Sequence, residues 1–241
     1  MLLPGRDHSL VEVRHTPATA VANLSWAGDL LVSTRALPAV LAALTPDAPR
    51  DDVSALGRLA DRLRVIVHDV FDSSLPGSGH AYWHEPTSIE TYYTAQMNLC
   101  GQRPGLDLFN PAWPLPAAPG QFGPARMALD EGGHPGHAVS CLVSDGAVLR
   151  GGYVATSVVG RGVVVESGAE VEDCLLMDGC HIGRGAHLRR TVVTPGAVVA
   201  DGVRLGYGAT PEWAHERASG LIIAAPRLRL GAESESSALG A

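Results

Sequence analysis

Histidine is the residue type with the most chemical options in this chain, which contains ten of them. An imidazole can ligate zinc or act as a general base near neutral pH. His181 and His187 lie six residues apart, but a zinc site needs a third ligand that converges with them. His134 and His137 lie in a loop rich in Gly and Pro, where one histidine could be the general base of an acyl transfer. The simpler interpretation, which the sequence favours, is that all four are solvent-exposed or structural.

Arginine supplies every basic side chain apart from histidine, because all 18 Lys+Arg positions are arginine. The chain therefore offers no lysine to hold a phosphate or to form a Schiff base. Arg184, Arg189, Arg190 and Arg204 lie close together in the sequence and could bind an anionic effector. A solvated basic face is the alternative interpretation of the same four residues.

The composition argues against several classes of protein. The net charge of -7 disfavours sequence-independent binding to nucleic acid. No apolar run approaches the ~18–20 residues of a membrane span, and the first residues lack the pattern of a signal peptide. Cys100, Cys141, Cys174 and Cys180 form no Cys-x-x-Cys pair, which favours a reducing compartment. We therefore expect a cytoplasmic protein with no nucleic-acid or membrane partner.

A repeat dominates the second half of the chain. From residue 142, large aliphatic residues recur at spacings of six, six and five, so the pattern returns every 17 residues through four cycles. Two residues before each one lies a residue no larger than Val, and glycine recurs at 151, 168, 185 and 202. A period near six fits neither a helix nor a twisted strand, but it describes short strands that meet at the corners of a triangular prism. The inward-facing aliphatic residues are predicted to be Leu142, Val148, Val154, Val159, Val165, Val171, Leu176, Ile182, Leu188, Val193, Val199 and Leu205.

The repeat predicts a left-handed parallel β-helix of hexapeptide repeats, with four coils of about 17 residues. The small residues are expected to face inward at the corners, and the glycines to supply turn conformations that other residues lack. Cys174 and Cys180 occupy such inward positions and are predicted to be packed thiols. His181 and His187 each precede an inward aliphatic residue, so both are predicted to point outward.

The first half of the chain alternates between candidate strands and helices, which is typical of an α/β layer. Strands are predicted at 30–32 and 64–70, and helices at 35–44, 55–63 and 88–99. Thr34 is the predicted cap of the first helix, and Ser88 or Thr87 that of the last.

These elements divide the chain into four parts. A partial α/β domain is expected at residues 1–99, and a Pro-rich connector anchored by Trp113 at 100–136. The β-helix takes residues 137–230, with a closing strand at 220–225. Residues 231–241 are rich in Ser, Gly, Ala and Glu and are predicted to be a disordered tail.

Several segments resemble one family, the ADP-glucose pyrophosphorylases (glucose-1-phosphate adenylyltransferases) of bacterial glycogen synthesis. The similar segments are Tyr82-Trp83, Ile89-Glu90-Thr91-Tyr92-Tyr93, Asp107-Leu108-Phe109, Trp113-Pro114-Leu115, Pro124-Ala125-Arg126 and the coil segments 142–146, 165–169, 176–179 and 182–190. The resemblance covers roughly residues 10–228. It implies that the α/β domain at residues 1–99 is a partial nucleotidyltransferase-like domain joined to a left-handed β-helix. It also implies the use of Mg²⁺ and a tetramer in which β-helices contribute to the interfaces.

The departures from the family pattern are as informative as the resemblance. The family's Gly-rich nucleotide loop has no counterpart in this chain, which suggests an N-terminal truncation. The family's Glu-Lys-Pro at the sugar phosphate corresponds to His15-Thr16-Pro17, and its Ser-Met-Gly sugar contact to Trp26-Ala27-Gly28. Glu85 stands near a metal-binding Asp of the family and could ligate Mg²⁺, although a surface carboxylate is the simpler interpretation.

The sequence therefore predicts a non-catalytic structural or regulatory subunit, a pseudoenzyme linked to glycogen and ADP-glucose metabolism. We expect no catalytic residue, no substrate-binding residue and no cofactor. The expected assembly is a homo-oligomer, or a hetero-oligomer with a full-length pyrophosphorylase subunit. Two alternatives remain: a fragment of an active nucleotidyltransferase that makes ADP-glucose from ATP and glucose 1-phosphate, and a hexapeptide acyltransferase.

Overall fold

The computed structural model of the chain describes residues 2–14, 24–43, 52–72, 76–77, 81–115, 120–208 and 210–225. It divides into two compact units, Met1–Trp83 and His84–Ala241. The predicted tail at 231–241 and the segment His15-Thr16-Pro17 lie outside the described residues. No helix in the described ranges is both long enough and apolar enough to cross a membrane.

The first unit is a small α/β arrangement. Strands β1 (Leu2–Pro4) and β2 (Leu10–Val13) form an antiparallel pair, followed by helices α1 (Leu37–Ala43) and α2 (Asp52–Ala60) and a short 3-10 turn at Val70–Asp72. Both helices were predicted and are confirmed, with ends that shift by one to three residues. The buried apolar side chains form two small clusters around Leu2, Leu10, Leu56, Val40 and Leu59.

Both strands predicted for this unit are wrong. Residues 30–32 form no strand, and Leu31 is fully exposed. Residues 64–70 make one isolated bridge, between Ile66 and Ser9, and lie beside β2 through a hydrogen bond from the Leu10 amide to the Val65 carbonyl (2.8 Å). Short apolar runs of this kind do not distinguish a strand from an extended segment packed on its neighbour. The β1–β2 pair was not predicted.

The second unit is a parallel β-helix of about four turns that begins ahead of the regular repeat. Its strands, in chain order, are β3 (Arg126–Ala128), β4 (His137–Val139), β5 (Leu142–Val143), β6 (Val148–Arg150), β7 (Tyr153–Ala155), β8 (Val158–Val159), β9 (Val164–Val165), β10 (Glu170–Glu172), β11 (Leu175–Leu176), β12 (His181–Ile182), β13 (His187–Arg189), β14 (Thr191–Val193), β15 (Val198–Val199), β16 (Arg204–Leu205), β17 (Ala214–Glu216) and β18 (Ile222–Ala224). The first of these strands lies inside the range assigned from the sequence to the connector. Trp113, the predicted anchor of that connector, is 47% exposed, whereas Asn110 is buried.

Three parallel sheets form the sides of the prism. Face 1 has the strand order β15-β12-β9-β6-β3, face 2 has β16-β13-β10-β7-β4, and face 3 has β18-β14-β11-β8-β5, to which β17 adds an antiparallel edge. The predicted closing strand is confirmed as β18, which pairs in parallel with β14. The parallel β-helix is therefore confirmed, and its left hand stays a prediction.

The inward register matches the repeat except in its first cycle. Ten of the twelve predicted inward aliphatic residues, from Val154 to Leu205, are at most 1% exposed. The inward assignments of Leu142 and Val148 were wrong by one residue. Val143 and Leu149 take the inward positions instead, because they pair with the inward residues Val159 and Val165. The inward residues Leu149 and Val154 are five apart, whereas Val165 and Val171 in the next turn are six apart. The corner after β6 is thus one residue shorter than the corner after β9. The inward positions that precede it are therefore shifted by one residue relative to the regular repeat.

Helix α3 (Ile89–Asn98) packs on the outward side of face 3. Ser88 caps it as predicted, because its hydroxyl accepts from the Thr91 amide at 3.1 Å in a reciprocal capping box. Ile89 and Tyr92 cover the apolar outward side chains of this face, including Leu175 and Val192. Two polar contacts also hold α3: the Tyr93 hydroxyl donates to the Asp173 carbonyl at 2.7 Å, and Arg217 pairs with Glu90 at 3.0 Å.

Each corner of the prism turns through one residue with positive φ. Glycine fills two of the corner columns, for example Gly162 (φ 63°) and Gly168 (φ 69°). The third column is built from Ser140, Thr156, Asp173 and Arg190, all with φ between 45° and 53°. A side chain in this conformation costs about 1–2 kcal/mol, so the third corner is less favourable than the other two.

This difference makes a test of the corner geometry. Gly168→Ala should lower the free energy of unfolding by about 1 kcal/mol, because a Cβ there meets only the Gly185 backbone at 3.8 Å but needs the unfavourable φ. Thr156→Gly should instead raise it by up to ~1 kcal/mol, since glycine adopts this φ freely. Urea denaturation of both variants checks the pair. Equal destabilisation by both changes would contradict the assignment of strain to the third corner.

Candidate functional site: a charged edge of the β-helix

The loop 129–136, between β3 and β4, folds back along the edge where face 1 meets face 2. An isolated bridge between Leu129 and Pro135 closes the loop. The Asp130 side chain, only 7% exposed, accepts hydrogen bonds from the Ser167 hydroxyl (2.5 Å) and the His134 amide (2.8 Å). Gly151 permits this approach, because a Cβ at that position would lie 2.7 Å from the Asp130 Cβ.

Hydrogen bonding sets the protonation of Asp130. The Ser167 hydroxyl and the His134 amide both favour the ionised carboxylate and hold the pKa of Asp130 well below its ordinary value. The ring Nδ1 of His134 lies 3.2 Å from the second carboxylate oxygen. His134 therefore belongs to the turn that holds the loop, which is the structural role that the sequence favoured for it.

A shallow cleft of about 190 Å³ lies beside this loop, lined by Asp130, Glu131, Gly132, Arg150, Glu166, Ser167 and Arg184. One guanidinium nitrogen of Arg150 contacts both oxygens of Glu166, at 3.0 and 3.2 Å. Arg184 lies 3.5 Å from Glu131, in a pair that is largely exposed. The cleft thus sets three carboxylates against two guanidinium groups, a balance that does not favour an anionic ligand.

The four arginines predicted as an effector site do not form one group. Arg184 lies at the cleft, and Arg190 turns the chain at the third corner. Arg189 and Arg204 lie in neighbouring strands of face 2, where the Arg204 guanidinium stacks over the Tyr207 ring at 5.0 Å. Effector binding by these residues stays a prediction.

The other predicted residues are also dispersed. His181 lies on β12 of face 1 and His187 on β13 of face 2, both partly exposed, so they point outward as predicted and do not converge. His187 Nδ1 lies 3.0 Å from Glu170. Glu85 is exposed, and among the described residues no group of three or more His, Cys, Asp or Glu is arranged to hold a metal ion. The role of Glu85 as a magnesium ligand stays a prediction.

The two inward cysteines are packed thiols, as predicted. Cys174 and Cys180 have no exposed surface. Burial raises the pKa of both thiols to about 12, so neither is a nucleophile at neutral pH.

The sequence pattern did not predict the loop 129–136, which forms this charged edge. Asp130 and Glu131 lie between two strands and carry no periodic signal. Only the sequence Asp130-Glu131-Gly132-Gly133, with its turn-forming glycines, marks the place where the chain leaves the prism. The partners of these carboxylates, Ser167 and Arg184, lie 37 and 53 residues further along the chain.

Comparison with known families agrees with this architecture. Residues 123–220 match the family model described as "GlmU-like, C-terminal hexapeptide". The second unit is therefore a hexapeptide-repeat β-helix domain.

Curated relatives extend the similarity beyond the β-helix. A protein named glucose-1-phosphate adenylyltransferase from Deinococcus radiodurans is 32% identical over 196 residues, which are 79% of this chain and 48% of the relative. Those from Deinococcus deserti and an Anaeromyxobacter species are 29% and 28% identical, over 86% and 90% of this chain and 51% and 56% of their own lengths. The predicted resemblance is confirmed: the chain is a homologue of glucose-1-phosphate adenylyltransferases. It spans about half the length of the curated relatives it matches.

The hydrogen bonds to Asp130 give a test of how the loop is held. Because the folded-state pKa of Asp130 is depressed, its contribution to stability is present above the unfolded pKa of about 3.9 and is lost as the pH falls toward the folded value. Ser167→Ala should raise the pKa of Asp130 toward the ordinary value, as followed by NMR titration of the carboxyl carbon. Ser140→Ala, at a different corner, is the control. An Asp130 pKa that is unchanged in Ser167→Ala would refute this account.

Proposed function

We propose that this chain acts in ADP-glucose metabolism as a non-catalytic structural or regulatory subunit. The proposal rests on one segment of the sequence that departs from the family pattern. Where similar enzymes are expected to hold the sugar phosphate with Glu-Lys-Pro, this chain has His15-Thr16-Pro17 and contains no lysine at any position. Phosphoryl transfer depends on positioning and charge neutralisation. Loss of both the carboxylate and the cation removes those contributions from the segment.

A second segment that departs from the family pattern also supports a non-catalytic role. Trp26-Ala27-Gly28 replaces the family's Ser-Met-Gly, and the indole of Trp26 packs against the cluster of Leu2, Leu10 and Leu56. Its Nε1 donates to the Asp29 carbonyl at 3.1 Å. The side chain is therefore engaged within the first unit, which supports a structural use of this position rather than a contact with sugar.

The surface of the first unit supports association with another subunit. Among its described residues, large apolar side chains are strongly exposed at Val11 (69%), Leu31 (104%), Leu41 (62%) and Phe71 (72%). Covering these side chains with another subunit would remove their apolar surface from water. The expected partner is a full-length adenylyltransferase subunit or a second copy of this chain.

The alternative is the activity that the relatives' name describes, with this chain as part of an active nucleotidyltransferase. Its support is the sequence identity to those proteins, which extends over 79% of this chain in the Deinococcus radiodurans comparison. Turnover by the chain itself is expected only under this alternative, so an enzyme assay tests it.

The purified chain should form no ADP-glucose from ATP and glucose 1-phosphate in the presence of Mg²⁺. We expect this because the segment His15-Thr16-Pro17 lacks the carboxylate and the cation with which the family is expected to hold the sugar phosphate. The readout is chromatographic detection of ADP-glucose, with the Deinococcus radiodurans relative assayed in parallel as the active control. Turnover by the purified chain would establish the alternative instead.

A subunit role also predicts a specific partner. Affinity purification of the tagged chain from its native host, followed by mass spectrometry, should recover a full-length glucose-1-phosphate adenylyltransferase. A tagged variant with Leu31→Asp and Phe71→Asp should recover less of it, because both residues belong to the exposed apolar surface of the first unit. Recovery of no adenylyltransferase with the unaltered chain would count against a subunit role.

A further inference from the structure

The cleft beside the loop 129–136 combines a cavity with hydrogen-bonding side chains, and the proposed function assigns no ligand to it. The loop contributes Asp130, Glu131 and Gly132, and the corner between face 1 and face 2 contributes Arg150, Glu166, Ser167 and Arg184. Among these described residues none has an apolar side chain. An apolar ligand therefore gains little by leaving water for this cleft.

The charges that reach the cleft are balanced once Asp130 is set apart. Its carboxylate, only 7% exposed, is already compensated by the two hydrogen bonds that it accepts from the loop and the corner. The groups that remain are two carboxylates and two guanidinium groups, paired as Arg150 with Glu166 at 3.0 Å and Arg184 with Glu131 at 3.5 Å. A balanced set of charges attracts neither an anion nor a cation strongly, so the cleft favours a neutral ligand.

Each of the two ion pairs places hydrogen-bond donors beside acceptors. One guanidinium nitrogen of Arg150 contacts both carboxylate oxygens of Glu166, at 3.0 and 3.2 Å. A guanidinium group carries more N–H donors, and a carboxylate more lone pairs, than this contact uses. Because a hydroxyl group both donates and accepts, two neighbouring hydroxyls can donate to the carboxylate and accept from the guanidinium of one pair. A neutral molecule with several adjacent hydroxyl groups therefore complements both pairs.

From these features we infer that the cleft binds a neutral saccharide, with one pyranose ring seated between the loop 129–136 and the corner. The ring hydroxyls donate to Glu131 and Glu166 and accept from Arg150 and Arg184. The volume of about 190 Å³ is below the ~300–1,000 Å³ of sites for drug-sized ligands, and it suits a single sugar ring. Since the cleft is shallow, further rings of a longer saccharide extend into solvent.

Other classes of ligand fit the cleft less well. A phosphate or carboxylate ligand meets Glu131 and Glu166 as well as the two arginines, and like charges disfavour it. An ammonium group meets the guanidinium groups of Arg150 and Arg184 in the same way. An acyl chain or an aromatic base finds no apolar side chain among the lining residues.

The loop holds the binding groups in place before a ligand arrives. The hydrogen bonds to Asp130 fix the position of the adjacent Glu131, and the ion pairs restrict the two guanidinium groups. Groups that are already ordered lose little conformational entropy on binding. The side chains of Arg150 and Arg184 are nevertheless about half exposed, at 47% and 58%, so water competes for their N–H groups. We therefore expect a dissociation constant in the millimolar range.

An NMR titration of the full chain with glucose, galactose and maltotriose tests the inference. At least one of these probes should shift the backbone amide signals of Glu131, Gly132 and Ser167, with a dissociation constant in the millimolar range. The affinity should be the same at low and high salt, because the ligand carries no charge. If none of the three probes shifts these signals at up to ~50 mM, the inference is wrong. Tighter binding of inorganic phosphate or ethanolamine than of every saccharide would also overturn it.

A pair of arginine variants tests the location of the site. Arg184→Gln should raise the dissociation constant for the saccharide about tenfold, because it removes a charged hydrogen-bond donor from the cleft. Arg189→Gln is the matched control, since Arg189 is an exposed arginine of β13 that does not line the cleft. Circular dichroism melting checks that both variants fold. Equal affinity of the two variants would contradict the assignment. Neither measurement uses catalytic activity or a partner subunit, so the inference stands or falls separately from the proposed function.

Discussion

Turning the chain by about a third of a circle every five or six residues is the constraint on which the β-helix depends. Each corner needs one residue with positive φ and a small inward neighbour that leaves room for the next strand. Ala169, Cys174, Cys180 and Ala186 fill the inward corner positions and have no exposed surface. Once the corners are satisfied, the strands stack in register, and every outward side chain is aligned with its equivalents above and below. The three faces, and any function they carry, follow from that alignment.

The regular part of this fold could be predicted because its rules are local and repeat. A buried position such as Ile182 has the same neighbours in the sequence as its equivalents, so spacing alone identifies it. The predicted inward positions of the first cycle were displaced by one residue because the corner after Arg150 is one residue short. The sequence did not reveal this, since the five-residue spacing from Leu149 to Val154 looks like an ordinary variation of the repeat. The first unit offers no repeat, and residues 64–70 show how an apolar run can lie beside a strand without becoming one.

The charged edge could not be predicted for a different reason. Its contacts join Asp130 to Ser167 and Glu131 to Arg184, residues far apart in the chain whose proximity depends on stacking of the turns. The same holds for α3, whose capping residue was predicted but whose burial surface on face 3 was not. From Val154 to Leu205, the sequence pattern identified which aliphatic residues face inward. It did not identify which outward residues would be covered by another part of the chain.

The loop 129–136 has a further consequence for how the β-helix comes apart. In a stacked array each turn touches only its neighbours, so turns can fray one at a time from an open end. This loop begins at the first strand and reaches turns that are not its neighbours, through Ser167 and Arg184. At the opposite end, Trp213 packs against the core beside β17. Because one end is tied to the middle turns and the other end is closed, we expect the array to unfold cooperatively instead of turn by turn.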